Sequence, residues 1–279
     1  MHTIRERLRA DRTQALIRDN PIQGKVMDCV AMSPASSHFI TDGLYMSFAM
    51  WRFIFRARSK TIPLNGAITW KHDNDRSCRM GCDNVESLAH VICHCMTHSR
   101  ALQLRHNALV GRVKIAISPR VQIMYENQRV PNSDLRPDLV VAYRNEIYII
   151  DVTVTFEDGK DSFERARERK HLAYANIIDT FKTPTNTVEI IPFVMGALGS
   201  WDPQNDYFLK KFVSRSYLTM FRKLCSCDTI KWSRDIYTEH VTGIRQYDPT
   251  ELNILAQRPP EPETVTNEEE MERRPATST

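Results

Sequence analysis

Two apolar runs stand close together in the middle of the chain, Leu139-Val140-Val141-Ala142-Tyr143 and Ile147-Tyr148-Ile149-Ile150-Asp151-Val152-Thr153-Val154. Arg144-Asn145-Glu146 is all that separates them, and so short a connection predicts a β-hairpin. Val188 to Met195 reads as a further buried strand, and Val121 to Tyr125 as a shorter one. Between and around these the apolar period changes to that of a helix. Thr97 to Val113 places Ala101, Leu104, Ala108 and Leu109 on one stripe. Asp161 to about Lys182 predicts a long helix that stops near Pro184. Asp206 to Leu224 predicts another, with Phe208, Phe212, Tyr217, Met220, Phe221 and Leu224. The order α-β-β-β-α-β-α predicts an α/β fold, a mixed sheet flanked by helices and carrying an antiparallel hairpin.

The flanks read differently. Residues 1–20 are charged, Arg-rich and helical in pattern, and Asn20-Pro21 and Pro34-Ala35-Ser36-Ser37 break that pattern. Leu44 to Arg58 predicts a helix in which Arg52, Arg56 and Arg58 interleave with Tyr45, Phe48, Trp51, Phe53 and Phe55. Packing on the next module is the favoured reading of that helix, and contact with nucleic acid the sharper one. Ile62-Pro63-Leu64-Asn65-Gly66 then begins a connector. Five segments follow from these changes: a helical linker region over 1–69, a metal-binding module over 70–98, the main domain over 99–227, a short helical appendage over 228–257, and a disordered acidic tail over 258–279. The chain shows no internal repeat and no Gly-rich phosphate loop.

Charge adds a modest bias. The 279 residues carry a net +4, but the last 22 hold six Glu against three Arg, leaving a body of +7. That excess favours polyanionic partners only weakly. Four of the seven Cys fall between Cys78 and Cys95, beside His90 and His94, which points to metal binding in a reducing compartment rather than to disulfides. The first residues lack the apolar core of a signal peptide, and no apolar run approaches the ~18 residues of a membrane span. An intracellular, soluble protein with no membrane partner is expected.

Cys78, Cys82, His90 and Cys95 follow the pattern Cys-x3-Cys-x7-His-x4-Cys. Three thiolates and an imidazole make a closed tetrahedral set for zinc, which leaves no position for water and makes the ion structural. Gly81 relieves the tight turn between the first pair, and Cys93 and His94 leave the fourth ligand open.

Asp138, in Arg136-Pro137-Asp138, opens the first strand of the hairpin, and Asp151 interrupts the second. A carboxylate inside so apolar a strand is costly unless a cation meets it. Two of them on neighbouring strands suit Mg²⁺ and phosphodiester hydrolysis. A lysine two residues after Asp151 would complete such a site, but Thr153 stands there. Lys170 lies near the centre of the apolar stripe Phe163, Ala166, Ala173, Tyr174, Ile177 and Phe181 on the following helix, and so faces the sheet. Arg167, at the edge of that stripe, and Lys160 are rival cations. On spacing alone, catalysis and a structural Lys170–Asp151 ion pair stand level.

Together these residues resemble the C-terminal region of site-specific non-LTR retrotransposon proteins, a zinc knuckle followed by a restriction-like endonuclease of PD-(D/E)xK type. Cys78, Cys82, His90 and Cys95 match the knuckle, Arg105-His106-Asn107 a short basic motif, and Arg136-Pro137-Asp138 the Lys/Arg-Pro-Asp motif. Asp151 matches the second acid, Lys170 with Tyr174 a Lys-x-x-x-Tyr feature, and Ile62-Pro63-Leu64-Asn65, more weakly, the linker. The match covers roughly residues 50 to 195. It implies a restriction-endonuclease-like sheet whose lysine has moved from strand to helix, which accounts for Thr153. It also implies a Mg²⁺-dependent nick in target double-stranded DNA whose 3′ end primes reverse transcription. Asp138, Asp151, Lys170 and Tyr174 would be catalytic, and Arg105, His106 and Arg136 would meet nucleic acid. No Ala-Asp-Asp polymerase motif occurs, so the expectation is a fragment, truncated copy or separated gene, acting in the nucleus with element RNA and a reverse transcriptase supplied in trans. A nucleic-acid-binding zinc module without cleavage, or an inactive remnant, is the alternative.

Overall fold

A computed structural model describes residues 2–68 and 76–248. The expected acidic tail, the end of the appendage and residues 70–75 lie outside the described residues. Four strands form one sheet in the order β1 (Gln122–Glu126), β2 (Leu139–Tyr143), β3 (Glu146–Thr155), β4 (Thr187–Gly196). β1, β2 and β3 run antiparallel, and β4 lies parallel to β3. The hairpin turns on Arg144-Asn145, with Arg144 in the left-handed region at φ 53°. Parallel strands need a crossover, and α5 (Asp161–Tyr174) supplies it between β3 and β4.

Strand alternation sorts the sheet into two faces. Leu139, Val141, Tyr148, Ile150, Val152 and Phe193 pack under α4 (Ser99–Ile117), α7 (Asn205–Leu209) and the first half of α8 (Arg215–Thr242). Val140, Ile147, Ile149 and Ile190 pack with Tyr174, Ile177 and Phe181 on the other side. The result is a mixed α/β fold of three layers. Asp151 shares the second face with Ile147 and Ile149, so it is aimed at α5.

Several expected elements change at their ends. The helix from Asp161 gives way after Tyr174 to a 3₁₀ turn at Ala175–Ile177 and a short α6 (Ile178–Phe181). The single helix expected over Asp206–Leu224 is broken: Ser214 is extended (φ −69°, ψ 159°), and its side chain accepts a bond from the Tyr217 amide and starts α8 anew. α8 then continues through Cys225-Ser226-Cys227, where a boundary was expected, and runs 28 residues. Its buried stripe Leu218, Phe221, Cys225, Thr229, Trp232, Ile236 and His240 never lapses, so nothing in the packing ends it. Gly243, left-handed at φ 71°, closes it by returning its amide to the Glu239 carbonyl.

Before the sheet, α1 (His2–Asp19) matches its expected span. Pro21 does more than break that helix: it opens α2 (Pro21–Ala31), whose fixed φ suits a first helical turn. α3 (Phe48–Arg58) begins later than expected, where Ser47 accepts from the Met50 amide. The linker is built into the core. Phe53, Ile54 and Ala57 of α3 join Val91, Ile92, Leu198, Ile230 and Ile236 in one apolar cluster. Arg58, buried, donates to Leu198 O at 2.6 Å and to Ser36 O at 2.8 Å.

Candidate functional site

The hairpin register sets the two acids face to face. Leu139 pairs with Ile150, so Asp138, one step before β2, falls opposite Asp151. Asp138 Oδ2 accepts a bond from the Val152 amide at 2.7 Å and meets His106 Nε2 of α4 at 3.1 Å. The same imidazole nitrogen lies 3.2 Å from Val152 O. Asp151 is 4% exposed. Its Oδ1 accepts from the Tyr174 hydroxyl at 2.6 Å, and Lys170 Nζ sits 2.8 Å from Oδ2 as an ion pair. Asp138, Asp151, Lys170, Tyr174 and His106 therefore meet at one point, where β2, β3, α4 and α5 converge.

Electrostatics follow from that crowding. Burial, and after it the charge of Asp138, raises the Asp151 pKa, while Lys170 and Tyr174 pull it down. Burial works against a charged His106, but Asp138, Asp151 and Asn107 outweigh it and carry the imidazole to about 9. The site thus sets two acids against the Lys170 amine and a His106 whose protonated form is favoured.

The rival cations are placed elsewhere: Arg167 pairs with Asp202, and Lys160 with Asp28 at 3.0 Å. Arg136, half-buried, precedes Asp138 at the mouth of the hairpin. Arg105 is separated from this group. It is 3% exposed and donates to Ser233 of α8 at 2.9 Å, so it ties α4 to α8 rather than facing the acids. Two participants carried no signal by residue type, the Val152 main chain and Gln103, which holds Asn107 Oδ1 at 2.8 Å beside His106. The triplet Arg105-His106-Asn107 was the one available hint to the second.

Cys78, Cys82, His90 and Cys95 also come together, with ligand atoms all within 4.8 Å of one another. Cys78 and Cys82 sulfurs lie 4.0 and 3.8 Å from that of Cys95. A tetrahedron with zinc–sulfur bonds of about 2.3 Å spaces its sulfurs at about 3.8 Å, so the set fits a zinc ion. His90 Nε2 is buried and, among the described residues, has no hydrogen-bond partner. Burial first, then the neighbouring His94 and His240, lowers the His90 pKa to about 4, which keeps a nitrogen lone pair available. Cys93 and His94 fall outside the four. A short π-helix, His90–His94, delivers His90 and ends at Cys95, whose extended backbone turns its sulfur back.

This cluster is braced from behind. Glu86, fully buried, accepts from Arg79 Nε at 2.6 Å, the Asn65 amide at 2.7 Å and His240 Nε2 at 2.9 Å. His240 Nδ1 meets His98 Nε2 at 3.0 Å. Although burial works against its charge, Arg79 and the other donors lower the Glu86 pKa to about 2. The bracing joins the linker, the Cys/His cluster, α4 and α8.

No family model matches the sequence. The chain is similar to Pol polyproteins of R2 retrotransposable elements, which supports a retrotransposon-related protein. It is 31% identical over 159 residues to a retrovirus-related Pol polyprotein from type-1 retrotransposable element R2 of Popillia japonica, covering 54% of this chain and 32% of that protein. A second such polyprotein from P. japonica is 27% identical over 258 residues, 88% of this chain and 39% of the relative. The Pol polyprotein from type-2 retrotransposable element R2DM of Drosophila melanogaster is 33% identical over 119 residues, 41% of this chain and 11% of the relative. The chain thus spans less than half the length of these relatives. Among the described residues no helix is long and apolar enough to cross a membrane.

Proposed function

We propose that the chain is a metal-dependent DNA endonuclease that nicks target double-stranded DNA during retrotransposon integration. The convergence of Asp138, Asp151, Lys170 and Tyr174 on one point of the hairpin carries this reading. The similarity to R2 Pol polyproteins adds to it. In this reading residues 99–227 form a restriction-endonuclease-like domain, 70–98 the zinc knuckle, 1–69 a linker and 228–257 an appendage. Element RNA and a reverse transcriptase act in trans, in the nucleus.

The oxygen donors at the site suit Mg²⁺, since the two carboxylates and the Val152 carbonyl are all hard ligands. Asp138 and Asp151 would hold the ion. When bound, it would supply charge compensation at the scissile phosphate and a more acidic water. The remaining work falls to the chain. The Val152 amide and His106 fix the Asp138 carboxylate, and Tyr174 fixes that of Asp151. Lys170, held at Asp151, orients the attacking water and offsets phosphate charge. Arg136 at the mouth steers the backbone. Buried in the core, Arg105 supports α4, and with it His106, rather than touching DNA.

A second reading, a nucleic-acid-binding module or remnant without cleavage, is favoured by the pairing of each acid with a cation of its own. A plasmid-nicking assay with zinc-loaded chain and Mg²⁺ separates the two. The expected outcome is nicking by wild type, loss of it in Asp138→Ala and Asp151→Ala with folding retained, and a decrease of about 100-fold or more in Lys170→Met. Folded wild type that binds DNA with steep salt dependence and never nicks it would establish the second reading.

A further inference from the structure

α3 carries two apolar faces, and only one is used by the fold. Met50, Phe53, Ile54 and Ala57 are buried. Phe48, Trp51 and Phe55, spaced three and four residues apart on the other side, are 75, 39 and 61% exposed. Their rings are nearly parallel: Phe48 and Trp51 at 6.0 Å and 13°, Trp51 and Phe55 at 5.5 Å and 11°. A row of three large rings standing in water is costly to keep without a partner. Beside Phe48 and Trp51 opens a cleft of about 310 Å³, floored by Phe39, Gly43 and Met46.

On α3 and its end the exposed charge is of one sign. Arg52, Arg56 and Lys60 are exposed on the same helix and its end, and the sequence has no Asp or Glu between Asp42 and Asp73. A second copy is a poor occupant, since an isologous contact would set these cations against themselves. A duplex is poor too, because its bases are already stacked on one another. Unpaired nucleotides satisfy both halves of the surface, bases on the rings and phosphates on the cations. The parallel rings hold one another in place, which lowers the entropy lost on binding, and Phe48 and Phe55, at the ends of the row, each keep one face that Trp51 does not cover.

We propose that Phe48, Trp51 and Phe55, with Arg52 and Arg56, form a docking platform for single-stranded nucleic acid. The platform belongs to α3 and does not depend on cleavage at the hairpin. It is therefore tested in full-length chain carrying Asp138→Asn, so that its failure is distinct from a failure to nick. Fluorescence anisotropy is measured with a labelled single strand of roughly 12 nucleotides, as DNA and as RNA, and with the DNA duplex of the same sequence. The double variant Trp51→Ala/Phe55→Ala, at exposed positions that leave the buried face of α3 intact, is expected to weaken single-strand binding by about 10-fold or more and to leave the duplex unchanged. Arg52→Ala/Arg56→Ala is expected to lower the slope of log affinity against log salt by roughly 1.4. Three results would overturn the platform. One is unchanged single-strand binding in the aromatic variant. Another is equal loss for strand and duplex. The third is a wild-type dimer in sedimentation that the same variant turns into monomers.

Discussion

At Asp151 a strand of Ile, Val and Tyr is interrupted by a charge, and the cost is met by particular neighbours rather than by water. Lys170 could be foreseen there because helical period alone aims it at the sheet, and the register and distances agree. The exclusion of Arg167 and Lys160 could not, since their partners Asp202 and Asp28 come from elements whose positions only tertiary packing decides. His106 shows the same limit. Its residue type hinted at a site, but its approach to Asp138 depends on how α4 crosses the sheet. It also carries a pH signature. Its pKa, raised to about 9, exceeds that of an unfolded imidazole at about 6.5. The stabilisation it contributes is therefore complete below about 6.5 and is lost as pH rises through the folded value. In chain kept free of divalent ions at the hairpin, denaturant unfolding of wild type and His106→Gln should show a stability gap that closes between pH 6.5 and 9. A gap constant across that range would contradict the contact.

Elements were legible in proportion to their apolar pattern. The hairpin, β4 and the amphipathic faces of α4 and α5 follow from the order of Leu, Ile, Val and Phe, and their ends shift by a few residues. A boundary was expected after Cys225-Ser226-Cys227, whereas all three are buried against the core and α8 runs through them. α3 was read as packing on the next module, and half of it does so. Its other face could not be assigned from period, since Phe occurs on both sides. The reach of α3 into the core through Arg58 was likewise invisible, because its buried partners are the Ser36 and Leu198 carbonyls, which carry no residue type. Arg58→Met should destabilise the chain by about 3 kcal/mol, since Ser36 O and Leu198 O lose their donor and buried Glu157 loses a neighbouring positive charge. Urea unfolding would measure it, and a change under half that size would mean that the contact is incidental.

For the molecule as a whole, the Cys/His cluster, the linker and the sheet share walls. Val91 and Ile92, next to His90, belong to the cluster that holds Ile54 of α3 and Ile236 of α8, and Glu86 joins Arg79, Asn65 and His240. A zinc ion held by Cys78, Cys82, His90 and Cys95 would then stabilise more than a local loop. Metal analysis should find zinc at about one equivalent and its loss in Cys82→Ser. Thermal unfolding of that variant should shift as a single transition for the entire chain. A separate low-temperature transition with the main one unmoved would mean that the module is thermally independent. The segment boundaries drawn from composition mark where residue usage changes, and this shared packing, decided by contacts far apart in sequence, was not legible in it.

The 28-residue α8 lies after every strand in chain order, yet Leu218, Phe221 and Cys225 close one end of the core and Ile230 and Ile236 the other. During synthesis the four strands and both acids therefore leave the ribosome before the surface that covers Phe193 and Trp201 exists. A frameshift or stop codon ahead of Arg215 would keep every residue of the hairpin site while leaving that apolar wall bare. Survival of the acidic pair in a decaying gene copy is consequently a poor guide to whether its product folds, and an intact reading frame through His240 is the better one.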